Sequence, residues 1–508
     1  MKTLTFAVTL ILSVLGLYAQ TPGALDGTFN TTGYNVNDLS GGDDWGRSVL
    51  LQPNGKIIVA GRSYDTKWNF SLERLLPDGT LDAGFGTSGK VITPMGMEGG
   101  AYAAARQTDG KIVLAGYYNN GSNYDFALAR YDTTGALDVT FDSDGKLSLA
   151  IGTAQDVAHA VCIQPDQKIL VAGSAGNGSN TDIALARFLS NGAIDPGFGT
   201  SGKLTTPVGT GDDDAWSITL QPNGKILVAG YSIAGSDLRA VLIRYLPNGT
   251  LDNTFGTGGI AQTASTGQSN VFFSVERQSD GHILCSGYNS LGTTNRNFLI
   301  IRTDTTGAAD PAFGTGGRVL TDFSGNNDEA YSLLIQPNGQ IVAAGYSDNG
   351  SVKAFALARF SAAGVLDNAF GTGGLVTTTV GSPDAYGVDA ALQPDGKIVV
   401  AGRANGASNV DFAVARYNGT ILTGVEDELP QLVFSVYPDP VSDFLNIDLT
   451  NGEYKMTILD IEGRVILEKS NITNHEKLSV SGFAPGIYVI HITDINTDAT
   501  AFGKFIKQ

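Results

Sequence analysis

The chain has 508 residues and a formal net charge of −18, with 66 glycines and only 16% charged residues. This length exceeds what one hydrophobic core organises, so an array of repeats with an added module is expected. The glycine content and the low charge favour short strands joined by tight turns over long amphipathic helices. The negative charge argues against a nucleic-acid partner, because phosphate contacts need a basic surface.

Residues 1–19 predict a secretory signal peptide. Lys2 precedes an apolar run from Leu4 to Leu17, and Leu17-Tyr18-Ala19 stands directly before Gln20. The run is too short for a comfortable membrane span, and no other stretch is long and apolar enough. We therefore expect no transmembrane segment in the mature chain.

A unit of about 57 residues repeats seven times between Gly23 and Tyr417. Its clearest piece is Gly-x-Leu-Asp-x-x-Phe-Gly, as in Gly79–Gly86. The opening glycine of each copy falls at positions 23, 79, 135, 192, 249, 307 and 364. A fixed period of this size is typical of propellers and solenoids.

One repeat is predicted to form four strands. The copy that follows Asp214 contains, in order, the strand-like segments Ala215–Leu220, Lys225–Gly230, Ala240–Tyr245 and Gly259–Thr263. Gln221-Pro222-Asn223-Gly224 joins the first two as a hairpin turn, and the second strand is apolar on both faces, as in stacked sheets. Four antiparallel strands per repeat is the composition of a propeller blade.

The two ends of the array are complementary. The first copy opens with a fourth strand, Gly33–Asn37, and the last copy ends on a third strand, Asp411–Tyr417. The N-terminal strand can therefore complete the last blade and remove the open sheet edges. The prediction is an all-β fold with a seven-bladed β-propeller, residues 20–418, closed by an N-terminal strand. An open solenoid leaves the offset unexplained.

The repeat resembles the delta-60 repeat family of predicted β-propellers over residues 23–418. The matching motifs are Gly-x-Leu-Asp-x-x-Phe-Gly, Gln-Pro-Asp/Asn-Gly-Lys-Ile-x-Val-Ala-Gly and Phe-Ala-Leu-Ala-Arg-Tyr. Single copies depart from them: Gln167 replaces the turn glycine, Ala309 a leucine, and Asn30 the glycine after phenylalanine. The resemblance implies the fold and no particular activity.

The first strand of each repeat is predicted to open with a ring side chain. These candidate ligand-binding residues are Trp45, Tyr102, His159, Trp216, Phe273, Tyr331 and Tyr386. Carboxylates stand close by and are the candidate metal ligands: Asp44, Asp156, Asp213, Asp214, Asp328 and Asp384. If this strand is innermost, the groups encircle one mouth of the channel, where rings suit sugar stacking and clustered carboxylates suit Ca²⁺. Alternatively, the rings pack between blades and the acids are solvated loop residues.

An arginine and an aspartate recur in every copy. The arginines are Arg74, Arg130, Arg187, Arg244, Arg302, Arg359 and Arg416, and the aspartates are Asp26, Asp82, Asp138, Asp195, Asp252, Asp310 and Asp367. A set repeated in every blade is a poor active site, because catalysis usually needs one asymmetric constellation. These residues are expected to form structural pairs or turns.

The repeat stops at a polar, acidic linker, residues 419–430, and a separate module follows at 431–508. Its segments Phe444–Leu449, Tyr454–Asp460 and Gly486–Ile492 alternate like the strands of a small β-sandwich. Pro485-Gly486 and Gly463 predict turns between strands. About 75 residues with several strands can bury a modest core.

This tail resembles the type A C-terminal sorting domain of the type IX secretion system of Bacteroidetes. The residues that carry the resemblance are Tyr437, Pro438, Pro440, Gly463, Gly486, Tyr488, Lys504 and Lys507. Asp439 stands where the usual motif has asparagine. The resemblance implies export through the inner membrane by the signal peptide and through the outer membrane by the tail, with type IX machinery as the partner.

The favoured function is a secreted or surface-displayed binding module for a glycan or a protein. The alternative is a polysaccharide lyase or hydrolase with an acidic pair at the channel mouth, and a structural surface coat is a third option. No enzyme signature is present: the four histidines lack metal-ligand spacing, and there is no Gly-x-Ser-x-Gly elbow or phosphate loop. No cofactor is expected apart from Ca²⁺ at the acidic residues.

Overall fold

The structure, a computed structural model, describes residues 21–235, 237–263, 268–291, 295–419, 434–438, 440–449, 453–460, 464–473, 475–494 and 500–508. Over these ranges the regular secondary structure is β-strand, without a helix. Accordingly, none of the described residues forms a helix able to cross a membrane. The chain divides into two compact units, Met1–Ile421 and Leu422–Gln508. The predicted signal peptide and most of the predicted linker lie outside the described residues.

The described part of the first unit contains seven four-stranded antiparallel sheets, each a blade. The first strands are β2 (Asp44–Leu51), β6 (Gly99–Arg106), β10 (Asp156–Ile163), β14 (Asp213–Leu220), β18 (Gln268–Arg277), β22 (Asp328–Ile335) and β26 (Ala385–Leu392). The second strands are β3 (Ile57–Tyr64), β7 (Ile112–Asn119), β11 (Ile169–Gly176), β15 (Ile226–Ala234), β19 (Ile283–Leu291), β23 (Ile341–Asp348) and β27 (Ile398–Asn405).

The third and fourth strands complete the blades. The third strands are β4 (Trp68–Leu75), β8 (Tyr124–Tyr131), β12 (Thr181–Phe188), β16 (Asp237–Tyr245), β20 (Arg296–Thr303), β24 (Lys353–Phe360) and β28 (Val410–Tyr417). The fourth are β5 (Lys90–Thr93), β9 (Lys146–Leu149), β13 (Lys203–Thr206), β17 (Ile260–Gln262), β21 (Arg318–Thr321), β25 (Leu375–Thr378) and, in the seventh blade, β1 (Tyr34–Asn37). The predicted seven-bladed β-propeller is therefore confirmed.

The ring closes through the N-terminal strand, as predicted. β1 pairs antiparallel with β28, placing Tyr34 opposite Ala415 and Asn37 opposite Phe412. Each first strand contacts the first strands of the two neighbouring blades, and β26 contacts β2. The first strands therefore form a closed inner circle around the axis, and every sheet has its fourth strand at the periphery.

The core lies between the sheets. Residues Ile226–Val228 of β15 are fully buried, as are the matching runs of the other second strands. Burial on both faces explains the continuous apolar pattern, because each sheet is covered by the next blade on either side. The hairpin before β15 turns at Gly224 with φ +78°, and Gln167, the non-glycine exception, adopts φ +66° at the same position.

A β-bulge interrupts each first strand. In β14, Ala215 and Ser217 pair with Gly230 and Ala229, which leaves Trp216 as the extra residue. The bulge brings the Asp214 carbonyl so close to Gly230 that a Cβ there would overlap it. The same close approach occurs at the corresponding glycines of the other blades: Gly61, Gly116, Gly173, Gly287, Gly345 and Gly402. Each second strand therefore needs the glycine of its Ala-Gly sequence (Ser-Gly in β19), because the bulged first strand leaves no room for a Cβ.

The recurring arginine and aspartate form an ion pair in every blade, as expected from the sequence. In the fourth blade, Arg244 Nε lies 2.7 Å from Asp252 Oδ2, and its Cζ stands 4.5 Å from the ring centre of Phe255. Asp252 Oδ1 also accepts the Thr254 N–H at 3.1 Å, which closes the turn. The motif Leu-Asp-x-x-Phe-Gly therefore serves to anchor the connection between the third and fourth strands.

The second unit is a small β-sandwich, as predicted. One sheet has the order β29 (Phe434–Tyr437), β30 (Phe444–Leu449), β33 (His475–Ser479). The other has the order β32 (Val465–Ile472), β31 (Tyr454–Asp460), β34 (Gly486–Asp494), β35 (Thr500–Lys507). Leu445 and Ile447 from the first sheet share a buried core with Ile458, Ile490 and Phe505 from the second.

Candidate functional site

A cavity of about 240 Å³ lies inside the circle of first strands, and every one of those strands contributes to its lining. We call the end of this channel where the first strands begin the channel mouth. In each first strand the bulge residue is the first residue that lines the cavity, so it lies on the mouth side of the lining. These residues are Arg47, Tyr102, His159, Trp216, Phe273, Tyr331 and Val388.

The bulge residues form a collar of contacting side chains. His159 stacks on Trp216 with ring centroids 4.4 Å apart, and Phe273 stacks on Tyr331 at 4.3 Å. Edge-to-face contacts join Tyr102 to His159 and Trp216 to Phe273, with centroid distances of 4.8 and 5.1 Å. Five of the predicted rings therefore meet one another across the blades, and each is only half-buried.

Trp45 and Tyr386 do not belong to this collar, which corrects the predicted equivalence of the seven rings. They lie two residues before the bulge, where they pair with Arg62 and Arg403. Arg47 and Val388 occupy the collar position in the first and last blades. The prediction selected a ring in every first strand, but in these two blades the ring stands two residues before the collar position. Counting back five residues from the glutamine of each hairpin turn finds the collar in all seven copies.

Trp45 is the centre of a second cluster, which includes three arginines: Arg47, Arg62 and Arg403, the arginine triad. The guanidinium carbon of Arg62 lies 4.3 Å from the Trp45 ring centre and 4.4 Å from that of Trp68. Arg403 lies between Trp45 at 4.2 Å and Tyr386 at 4.4 Å. Arg47 is 5.2 Å from both Trp45 and Tyr102. Sequence reasoning missed Arg62 and Arg403, because both come from second strands.

The arginines of the triad make no direct ion pair with a described residue. Among the described residues, no carboxylate oxygen lies within 4.0 Å of a nitrogen of Arg47, Arg62 or Arg403. Burial, followed by repulsion from Arg403 and then Arg62, lowers the pKa of Arg47 to about 10. Stacking on aromatic faces and the hydroxyls of Tyr102 and Tyr117 partly replace water around these groups.

The acidic groups across the mouth are paired. Glu329 contacts Arg296 and accepts the Tyr331 hydroxyl at 2.8 Å. Asp214 Oδ2 lies 3.2 Å from His159 Nε2. Both carboxylates are buried, at 3% and 8% exposure. Among the described residues, the mouth therefore has arginines without a direct ion pair in the first and last blades and paired acids in the third to sixth blades.

Four predicted metal ligands have a common structural position. Asp44, Asp156, Asp213 and Asp328 are fully buried, and none lines the cavity. Each accepts a backbone N–H from the residue five positions earlier, as Asp213 does from Val208 at 2.7 Å. Burial raises the pKa of Asp328 to about 6. These carboxylates hold the loops that enter the blades, so the alternative of solvated acids is wrong for them.

The sixth predicted metal ligand, Asp384, stands in a different place. It has φ +76° and accepts the backbone N–H of Lys353 at 3.0 Å. Lys353 Nζ lies 3.9 Å away and also approaches the Tyr386 ring, at 5.7 Å from its centre. The six predicted acids therefore lie at separate places in the propeller and do not form one site.

Two further carboxyl groups, unnoticed in the sequence, lie deeper in the channel. Asp389 Oδ2 accepts the Val49 N–H at 2.8 Å and the Ser48 hydroxyl at 3.1 Å, and Oδ1 accepts the Ser332 hydroxyl at 3.1 Å. Asp389 therefore joins three neighbouring inner strands. Burial and then the charge of Asp389 raise the pKa of Glu276 to about 7.

The sorting residues occupy defined positions in the second unit. The Tyr437 hydroxyl donates to Asp448 at 2.9 Å, and Pro438 and Pro440 follow Tyr437 at the end of β29. The Tyr488 hydroxyl donates to the Ala484 carbonyl at 2.8 Å while its ring stacks on Phe505 at 5.3 Å. Gly486 pairs with Lys507 and Val489 with Lys504 across β34 and β35. Gly463 lies outside the described residues.

Comparison with known families agrees with these two units. Residues 435–508 match the secretion system C-terminal sorting domain. Six segments match the domain of unknown function (DUF5122) beta-propeller: 52–85, 107–141, 164–198, 221–255, 336–370 and 393–419. A search of the curated proteins found no match.

Several solved structures are similar to parts of the chain at low identity. PorZ, a surface component of the type IX secretion system of Porphyromonas gingivalis, has 13% identity and a TM-score of 0.31, over 90% of this chain and 68% of its own. Drosophila Semaphorin 1b has 9% identity and a TM-score of 0.43, over 79% and 88%. Sqt1 from Chaetomium thermophilum has 13% identity and a TM-score of 0.40, over 93% and 100%.

The repeats, the seven closed blades and the C-terminal sandwich with its sorting residues point to one class of protein. A type IX sorting domain directs its carrier through the secretion machinery to the cell surface or the medium. The chain is a DUF5122 β-propeller protein that a type IX secretion C-terminal sorting domain exports.

Proposed function

We propose that the propeller is a binding module that captures an acidic glycan at the channel mouth. The observation that carries this proposal is the arginine triad, which has no carboxylate partner among the described residues although the whole chain has a net charge of −18. A positive cluster without a direct ion pair favours an anionic ligand, because the ligand can supply hydrogen-bonded counter-charge.

The neighbouring rings favour a sugar over a small inorganic anion. Trp45, Trp68, Tyr102 and Tyr386 surround the triad and remain half-buried, so part of each ring is open to solvent. The apolar face of a pyranose ring can stack on such rings while a carboxylate or sulfate on the same sugar accepts guanidinium hydrogen bonds. Uronic acids and sulfated sugars share this chemistry.

The carboxylates at the mouth support binding over hydrolysis. Glu329 and Asp214 each contact a basic group, and both are buried. A glycosidase needs one protonated and one ionised carboxyl group on either side of the bond that breaks, both open to the substrate. Glu329 and Asp214 are thus not free to act as such a pair at the mouth, and the other two carboxyl groups, Glu276 and Asp389, lie deeper in the channel.

A polysaccharide panel tests the proposal with the full chain. We expect binding to polygalacturonate, alginate or dextran sulfate, weakening as salt increases, and no binding to neutral dextran. The substitutions Arg47→Gln and Arg403→Gln should each weaken binding at least tenfold. Arg277→Gln, at the far end of an inner strand, is the control and should bind like the unaltered chain. Equal binding to dextran, or none to any acidic polymer, would overturn the proposal.

A further inference from the structure

The seam at which the ring closes gathers carboxylates from three strands. Asp38 follows β1, Asp44 begins β2, and Asp411 lies in β28. One oxygen of each of these three groups lies within 4.8 Å of the other two. Asp43 is close as well, and its Oδ1 accepts the Val410 N–H across the seam at 3.1 Å. The cluster therefore spans the first and last blades.

Asp411 lacks the partner that its position has in other blades. It is 5% exposed, and no described residue donates a hydrogen bond to either of its carboxylate oxygens, whereas only Oδ1 is unpartnered in Asp125 and Asp182. In the second blade the equivalent Asp125 accepts Asn120 Nδ2 at 2.9 Å, and in the third Asp182 accepts Asn177 Nδ2 at 3.1 Å. Gly406 occupies the position of that asparagine in the seventh blade. An ionised carboxylate that is buried without a donor is costly unless a cation compensates it.

The seam between the fifth and sixth blades provides an internal comparison. Its loop has the same form: Asp322 accepts the Gly325 N–H at 2.6 Å, as Asp38 accepts the Gly41 N–H at 2.6 Å. Asp328 corresponds to Asp44, but Asn297 stands where the closing seam has Asp411. Of the described seams, the closing seam is the one that assembles three carboxylates with the spacing of cation ligands.

Local positive charge does not balance the cluster. Lys90 is the nearby cation, and its Nζ donates to the Asp38 carbonyl at 2.5 Å. Four carboxylates thus face one ammonium group. The ligand set consists of oxygen atoms alone, which favours a hard cation over a transition metal.

We infer that the closing seam binds Ca²⁺ through Asp38, Asp44 and Asp411. Oxygens up to 4.8 Å apart fit around an ion with Ca–O distances of about 2.4 Å. The ion would link the N-terminal strand, the first blade and the last blade. Its expected effect is to stabilise the closed ring, independently of the ligand at the channel mouth.

Calcium-dependent thermal unfolding of the full chain tests the inference. We expect saturating Ca²⁺ to raise the unfolding midpoint by about 5 °C relative to chelator, with a smaller rise in Mg²⁺. Asp411→Asn should remove the calcium response. The fold accepts an amide at this position, because the seam between the fifth and sixth blades has Asn297 there. Asp322→Asn changes the residue that corresponds to Asp38 in the seam between the fifth and sixth blades, and it should retain the full response.

Calorimetric titration with Ca²⁺ provides a second measurement that does not depend on stability. Gly406→Ala, whose Cβ would come within 1.8 Å of Asp411 Oδ2 and displace that carboxylate, should weaken calcium binding at least tenfold. The inference is overturned if Ca²⁺ and chelator give the same midpoint and no binding heat. It is equally overturned if Asp411→Asn binds Ca²⁺ like the unaltered chain. We expect Asp411→Asn to retain glycan binding. A failure of the calcium inference can therefore be distinguished from a failure of the glycan proposal.

Discussion

Arg416 donates from Nε to Asp26 Oδ2 at 2.8 Å, across 390 residues of sequence. In the other six blades the same pair lies eight residues apart, as in Arg74 and Asp82. The closing blade thus uses the ordinary ion pair of the repeat to join the two ends of the array. Because both side chains are buried, the pair holds the N-terminal segment in place before β1 begins.

Asp26→Ala is expected to open the ring. Removing one partner of a buried ion pair costs about 3–5 kcal/mol, because the other charge stays buried without compensation. Limited proteolysis should then cut the N-terminal segment ahead of the rest. Asp252→Ala, the same change within one blade, is the control and should destabilise without early N-terminal cleavage. An Asp26→Ala chain with unaltered stability and proteolysis would contradict this role.

Gly230→Ala is expected to destabilise the propeller by about 3 kcal/mol or more, because the new Cβ would overlap the Asp214 carbonyl of the bulged strand. Urea unfolding measures the change. Gly27→Ala is the matched control, since a Cβ there meets no atom within 4 Å. Equal stability of the two variants would show that the bulge can relax.

The stability of the propeller is expected to fall as the pH rises from about 4.5 to 7. The pKa of Glu276 is about 7 in the folded chain and near 4.5 when unfolded, so the folded state binds the extra proton in this window. Ionisation above it leaves a buried charge. Glu276→Gln should therefore raise the thermal midpoint at pH 8 and have less effect at pH 4.5.

The control for this pH profile is Glu468→Gln, an exposed position at 53% side-chain exposure in the second unit. It should shift the midpoint equally at all pH values, if at all. A Glu276→Gln chain whose midpoint follows the unaltered profile would show that Glu276 is already compensated in the folded state.

Arg47→Gln is expected to stabilise the unliganded chain by about 1 kcal/mol while weakening glycan binding. The reason is that burial, followed by repulsion from Arg403 and Arg62, lowers the pKa of Arg47 to about 10. Thermal unfolding without ligand measures the gain. Lower stability of the variant would indicate that packing of Arg47 on Trp45 and Tyr102 outweighs the repulsion.

Much of the fold was predictable from sequence because seven copies supply the same evidence repeatedly. The strand order, the turn at Gly224 and the offset between Gly33–Asn37 and Asp411–Tyr417 led directly to a closed ring. The Arg–Asp ion pairs were predictable because one arginine and one aspartate recur in every copy.

The site was harder to predict, for two physical reasons. The rings do not all stand at one strand position, so Trp45 and Tyr386, two residues before the bulge, were assigned to the collar in place of Arg47 and Val388. The groups that assemble at the mouth also come from different strands, and Arg403 is 358 positions after Trp45 in the chain. A repeat pattern predicts the features that all blades share. The arginine triad and the unpartnered Asp411 depend on residues that are found only where the first and last blades meet.

The most direct measurement is calorimetric titration of the full chain with a uronic-acid tetrasaccharide and with the same sugar after reduction of its carboxyl groups. The two ligands offer the same rings to Trp45 and Tyr386 and differ in charge. We predict saturable binding of the acidic sugar, weakened by salt, and at least tenfold weaker binding of the reduced sugar. Equal affinity for both, or no binding of either, would contradict an acidic-glycan site at the channel mouth.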